Sequence, residues 1–269
     1  MLKNITLGQY LPGKSILHRA DPRTKMISTI IIMVLVFIAN NVYGYAMLVA
    51  LTAIALLIGE LPVKYTLRGL KPLLIILVIT AAINIFTYSG QTVLWSVGAV
   101  KITLEGILQA ITITIRLSII VIMGSILTLT TTPIALTDGI ESLLSPLKKI
   151  RVPVHEMAMM MSIALRFIPT LMEETDKIMK AQASRGADFD TGNILQKAKS
   201  FIPVLIPLFV SAFKRAEELA TAMESRCYRG DIGRTRMKKL AYTVVDLRMG
   251  IFIVLFTAVF IVSTFLPAS

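Results

Sequence analysis

Long apolar runs, separated by short polar connectors, fill the first half of the chain and return at its end. A bilayer-spanning helix needs about 20 largely apolar residues. On that measure 22–39, 42–58, 72–88, 106–130 and 249–266 are candidate spans. Asp21-Pro22 opens the first, with Asp as N-cap and Pro where no amide donor is missed. Asn40, Asn41 and Gly44 mark a tight turn before the second. Residues 91–103 mix apolar and polar positions and fit either an outer hairpin or a short re-entrant segment.

Two further apolar stretches, 152–165 and 201–213, are shorter than a span, and Pro203 and Pro207 interrupt the second. They read as the membrane-side ends of long helices that run on into solvent. Beyond them, Glu173-Glu174-Thr175-Asp176-Lys177 and Lys214-Arg215-Ala216-Glu217-Glu218 place opposite charges at helical spacing, as on an exposed helix. Gly186 is a natural residue to stop the first of these helices.

Composition agrees with a membrane protein. The 269 residues are 55% hydrophobic and 16% charged, with a net charge of +12. Such a basic balance in a soluble protein would raise nucleic-acid binding. Here the distribution accounts for it, and no nucleic-acid partner is expected. Five Lys or Arg residues lie in the N-terminal tail, three between the second and third spans, and eighteen in 132–248. The segment 89–105 carries only Lys101. Basic residues gather on the cytoplasmic side of spans. The N-terminus and the long insert are therefore expected in the cytoplasm and the C-terminus outside. The expected segments are 1–131 (tail and four spans), 132–248 (cytoplasmic region) and 249–269 (last span). Residues 1–25 contain no apolar leader core, so no cleaved signal is expected.

Candidate chemistry is sparse. One cysteine, Cys227, and two histidines, His18 and His155, build neither a disulfide framework nor a zinc cluster. Gly8-Gln9-Tyr10-Leu11-Pro12-Gly13-Lys14-Ser15 spells a phosphate-binding loop, but Asp21-Pro22 follows too soon for the supporting helix. The chain is expected to hydrolyse no ATP and to hold no cofactor or metal. Arg116, inside the fourth apolar run, is an intramembrane charge and hence a candidate functional residue. Asn84 and the threonines at 112 and 114 are candidate company for it, as are backbone carbonyls within the bundle. Met157, Met159, Met160 and Met161 fill a core in the ordinary reading. They also suit a surface that accepts exchangeable membrane partners.

The feature that points furthest is a Ser-Arg pair used twice in a similar tripeptide. Ser184-Arg185-Gly186 closes one amphipathic stretch and Ser225-Arg226-Cys227 closes the next, with the arginines 41 residues apart. A cation at a helix C-terminus is ordinary on its own. Its repetition in one compartment suggests two similar docking sites, hence a pair of related soluble partners. Guanidinium, a rigid fork of donors, fits a carboxylate-lined groove. A membrane protein that grips two soluble heads reads as the coupling half of an ATP-driven transporter.

At these residues the chain resembles the transmembrane T component of energy-coupling-factor (ECF) transporters, a branch of the ABC transporters. The likeness runs through Gly8-Gln9-Tyr10, 18–25 from His18 to Lys25, and Leu129-Thr130-Thr131-Thr132-Pro133. It continues in Arg166-Phe167-Ile168-Pro169 with Glu173, then 181–186, and ends at Met223-Glu224-Ser225-Arg226. The resemblance implies an all-α polytopic protein of a prokaryotic cell membrane, L-shaped, with about five spans and long cytoplasmic coupling helices. It implies two related ATPase subunits that bind ATP and Mg, docked by Ser184, Arg185, Gly186, Ser225, Arg226 and Cys227. It further implies a separate membrane subunit that binds a vitamin or metal, for which the methionines are a candidate interface. Cys227 departs from the pattern, which has a small Gly or Ala there. A conventional permease that conducts solute itself, and a membrane scaffold with a basic insert, are the rival readings. A polytopic enzyme is the weakest.

Overall fold

A computed structural model describes residues 10–88, 90, 92–97, 100–189, 191, 193–230 and 240–265. The chain divides into two compact units. One comprises 8–139 with 240–269, and the other 140–239 together with 1–7.

The first unit is a helical bundle. After a single turn, α1 (Ile16–Arg19), come α2 (Pro22–Ile38), α3 (Val42–Ile58), α4 (Val63–Leu70) and α5 (Leu74–Thr87). A two-stranded hairpin, β1 (Val93–Val97) and β2 (Val100–Thr103), leads to α6 (Leu104–Thr130). The last helix, α11 (Val244–Phe265), returns to this bundle after the second unit. Asp21 caps α2 as expected, its carboxylate accepting from the Arg23 amide at 2.9 Å. The alternatives for 91–103 resolve to the hairpin: the strands pair antiparallel from Val93 with Thr103 to Val97 with Val100. Gln91, Gly98 and Ala99 lie outside the described residues. Thr103 joins hairpin to helix by accepting from the Gly106 amide and donating to the Tyr88 carbonyl.

Among the described residues, Val63–Thr87, Leu104–Thr130, Leu195–Ser225 and Val244–Thr264 are long and apolar enough to cross a membrane. Val42–Ile58 is apolar and 17 residues long, and Pro22–Ile38 has the same length. The core lies where α2, α3, α6 and α11 meet, around Val36, Leu48, Leu129 and Phe260, each sealed from solvent. Outward faces remain apolar, as a lipid-facing surface requires: Ile75, Val78, Ile79 and Phe86 of α5 are all exposed. Hydroxyls inside the helices bond back to their own backbone, Thr29 to Lys25, Thr52 to Leu48, Thr114 to Ala110 and Thr257 to Ile253. Such pairing satisfies a polar atom where water is absent. These four threonines thus serve the helices that carry them.

The second unit takes the end of α7 (Pro133–Leu144), a 3₁₀ segment over Ser145–Ile150, and then α8 (Val154–Ser184), α9 (Ile194–Ser200) and α10 (Ile202–Ser225). Glu141 and His155, both buried, meet at 2.9 Å near the start of α8. The long helices expected beyond the short apolar stretches are present, α8 with 31 residues and α10 with 24. The stretch 201–213 opens α10, and charged residues continue the same helix to Ser225, as expected. One expectation needs correction, because proline does not break this helix. Pro203 sits in the first turn, where its missing donor costs nothing, and Pro207 lies inside an unbroken helix.

Candidate functional site: a two-ended helical hairpin

Helices α8 and α10 form an antiparallel pair. Tyr228 donates its hydroxyl to the Met159 sulfur, Arg215 meets Glu174, and Gln182 reaches Pro203, so one helix descends as the other ascends. The Pro203 contact explains the tolerance of Pro207. A proline inside a helix frees the carbonyl four residues earlier, which here is that of Pro203, and Gln182 Nε2 donates to it at 3.3 Å. At the middle, Arg215 sends Nη2 and Nε to one Glu174 oxygen at 2.7 and 3.1 Å. Hydrogen bonds from Ser211 and then Arg215 hold the Glu174 carboxyl below its ordinary range.

This polarity puts the two arginine tips at opposite ends. Arg185 follows Gln182, beside the start of α10, whereas Arg226 follows the end of α10. The 24 residues of α10 separate them by about 36 Å at the usual rise of ~1.5 Å per residue.

The two ends are built alike, bond for bond. In the first, the amides of Arg185, Gly186 and Ala187 donate to the carbonyls of Gln182, Ala183 and Gln182. In the second, those of Arg226, Cys227 and Tyr228 donate to Met223, Glu224 and Met223. This is the Schellman stop, which needs a left-handed residue just past the cap. Gly186 supplies it at φ +89° and Cys227 at φ +56°. The caps themselves nearly coincide, Arg185 at φ −92°, ψ 8° and Arg226 at φ −93°, ψ 15°. The departure of Cys227 from glycine therefore leaves the turn intact. Ser184 and Ser225 bond back to the carbonyls of Lys180 and Ala222, inside their own helices. Both arginines are exposed, and among the described residues neither makes an ion pair. Each tip is thus a rigid stop that presents one free guanidinium.

Between the tips the hairpin carries apolar surface. Met157, Met160 and Met161 are exposed on α8, while Met159 is half-buried against Tyr228. On α10, Ile202, Leu205, Ile206, Phe209, Val210 and Phe213 are all exposed at helical spacing. Burial of side chains in α8 and α10 is confined to Val154, His155, Ala158 and Val204 among the described residues.

The remaining candidates have structural partners. Arg116 Nη2 donates to the Tyr45 hydroxyl at 2.6 Å and to the Ala39 carbonyl at 3.4 Å, and the guanidinium lies over the rings of Phe37 and Tyr45. Its company is therefore the turn between α2 and α3. Asn84 bonds to Thr80, and Thr114 to Ala110, so neither is the partner suggested for Arg116. In the phosphate-loop look-alike, Gly8 and Gln9 lie outside the described residues. Ser15 is buried with its hydroxyl 2.6 Å from His18 Nδ1, and only the four-residue α1 follows.

One constellation escaped the sequence reading. Asp246 of α11 accepts from the Asp21 amide at 2.6 Å and from the amide and hydroxyl of Thr243 at 2.7 Å each. Lys25, buried, donates to the Thr130 carbonyl at 3.1 Å, and Arg23 to the Leu240 carbonyl at 2.9 Å. The Leu11 amide donates to Leu129. The 18–25 and 129–133 segments thus meet and, with the start of α11, form a buried latch of the bundle. The only local signal was the run of charges just before an apolar stretch.

Comparison with known proteins places the chain in a family. The model of the family described as cobalt transport protein matches residues 13–240. The energy-coupling factor transporter transmembrane protein of Ruminiclostridium cellulolyticum is 61% identical over 258 residues, which is 96% of either chain. That of Acidaminococcus fermentans is 52% identical over 266 residues, 99% of this chain and 98% of the other. The Bacillus subtilis counterpart is 48% identical over 246 residues, 91% and 93% of the two chains.

Proposed function

The chain belongs to the cobalt transport protein family, as a multi-pass transmembrane component of an ECF transporter, and from that premise we propose that its hairpin couples two ATPase subunits to a substrate-binding membrane subunit. The observation that carries this reading is the pair of matched arginine stops at opposite ends of one hairpin. Two equal ends call for two related sockets, and ~36 Å leaves room for a separate protein at each. A carboxylate-lined groove on each ATPase subunit would take Arg185 or Arg226, with Ser184, Gly186, Ser225 and Cys227 shaping the turn.

When ATP and Mg draw the two heads together, the ends of the hairpin receive a force that the α8–α10 contacts carry as one body. The exposed methionines and the α10 stripe then transmit the motion to the membrane subunit that holds a vitamin or other micronutrient. The chain itself contributes no catalytic group, and hydrolysis belongs to the heads. The Lys and Arg distribution supports a cytoplasmic N-terminus and hairpin and an external C-terminus in a prokaryotic plasma membrane.

Co-purification of the tagged chain from its native membrane tests the coupling. Wild type should bring down two ATPase subunits and a small membrane protein, and Arg185→Glu and Arg226→Glu should each weaken the ATPase recovery. Full retention in the double variant would overturn the docking role. Orientation has its own probe, because Cys227 is the sole cysteine and is exposed. A membrane-impermeant maleimide should label inverted vesicles and spare intact cells. The reverse pattern would invert the topology.

A further inference from the structure

Among α1, α2, α3, α6 and α11 the bundle encloses a cavity of about 370 Å³. Its walls are mainly aliphatic, with Ile32, Leu51, Ile54, Met123 and Ile253 among them, and among the described residues no acidic side chain lines it. Two cationic ones do, Lys25 and Arg248. Both sit near the starts of their helices, α2 and α11, so the charge gathers at one end. From Lys25 to Ile32 the apolar part runs about 10 Å at ~1.5 Å per residue.

The charge at that end does not cancel. Three cations, Arg23, Lys25 and Arg248, stand against the two carboxylates of Asp21 and Asp246, which already accept the amides of Arg23, Asp21 and Thr243, and Asp21 also pairs with Arg23 at 3.4 Å. Lys25 is 4% exposed, and its recorded bond goes to a neutral carbonyl. An ammonium offers three donors and a guanidinium five. Arg248 is exposed and, among the described residues, makes no ion pair. An aliphatic chamber with surplus positive charge at its mouth complements an acyl chain that ends in an anion.

We infer that this cavity holds the headgroup-proximal part of one acyl chain of an anionic phospholipid, with the phosphate against Arg248 and within reach of the positive field of Lys25. On the orientation proposed above the mouth faces the cytoplasm and the lipid comes from the inner leaflet. Binding itself does not depend on that orientation or on ATPase docking. The lipid would fill a space beside the latch that joins α2, α6 and α11.

The test uses the full chain in nanodiscs that mix phosphatidylcholine and phosphatidylglycerol, one or the other carrying a photoreactive acyl chain. The phosphatidylglycerol probe should mark Ile54, Met123 or Phe252 in preference to phosphatidylcholine. Arg248→Gln, a surface change that leaves folding alone, should cut that preference by roughly fivefold, the scale for one basic group near an anionic surface. Ala55→Phe, which fills the chamber, should abolish the labelling. Equal labelling by both lipids, preference unchanged in Arg248→Gln, or a co-purified protein helix cross-linked in the cavity would overturn the inference.

Discussion

The bundle and the hairpin solve opposite problems with the same secondary structure. In the bundle, α2, α3, α6 and α11 seal large side chains inside and pair buried charges with backbone amides and carbonyls. In the hairpin, α8 and α10 bury almost nothing and turn methionine, phenylalanine and arginine outward. A bundle of this kind is held by its own core. The hairpin is held by a few specific contacts and, on the function proposed above, is shaped for surfaces that other proteins supply. Substitutions should therefore divide into those that damage the chain and those that damage only its assembly.

The largest effect is expected in the bundle. Asp246→Ala removes the acceptor of the Asp21 amide and of two Thr243 donors, and leaves Lys25 with less opposing charge. Breaking a buried charged cluster typically costs about 3–5 kcal/mol. The variant should show a sharply lower unfolding midpoint in detergent even without partners. An unchanged midpoint would mean that the latch is not what holds α11 to α2.

At the tips the cost should appear only in the complex. Loss of one arginine from a charged socket is worth about 2–5 kcal/mol of binding. Because the tips lie ~36 Å apart, the free energies of Arg185→Ala and Arg226→Ala should add in the double variant. Titration of purified ATPase subunits against the chain measures this, while the unfolding midpoint stays at the wild-type value. Strong non-additivity would show that the two ends communicate through the hairpin.

Much of this contrast could be read in advance wherever the information is local. The bounds of α2 and α3, the Asp21 cap, the stop at Gly186 and each Ser-Arg helix end are all statements about neighbours within a few residues. What could not be read depends on distant partners. Tyr45 reaches Arg116 across 71 positions, and Thr130 reaches Lys25 across 105. Pro207 was expected to interrupt a helix because the compensating donor, Gln182, comes from another one. Periodicity locates an apolar face but does not say which carbonyl a buried cation will find.

A smaller effect belongs to the middle of the hairpin. Arg215 and Glu174 are partly exposed, with 38% and 21% of their side-chain surfaces open, and such pairs contribute roughly 0.5–1 kcal/mol. The Glu174 carboxyl is held below its ordinary value of 4.5 by Ser211 and Arg215. Stability from this source is therefore complete above that value and is lost as pH falls through the lowered folded-state value. Wild type and Glu174→Gln should differ modestly in hydrogen exchange along α8 and α10 at neutral pH and converge in acid. A constant difference across that range would assign the effect to packing.

The finest comparison is between the two tips themselves. They share every backbone bond of the stop, yet one places glycine at the left-handed position and the other places Cys227 at φ +56°. A side chain there costs about 1 kcal/mol or more relative to glycine, while glycine loses more freedom on folding. Cys227→Gly should therefore steady the second stop by only about 0.5 kcal/mol. Hydrogen exchange at the amides of 226–228 should slow slightly, and affinity for the ATPase subunits should stay within twofold or so, since Arg226 keeps its position. A large loss of affinity would mean that the Cys227 side chain itself enters the socket. The two ends would then differ in the partner surface they select, although their backbone turns are the same.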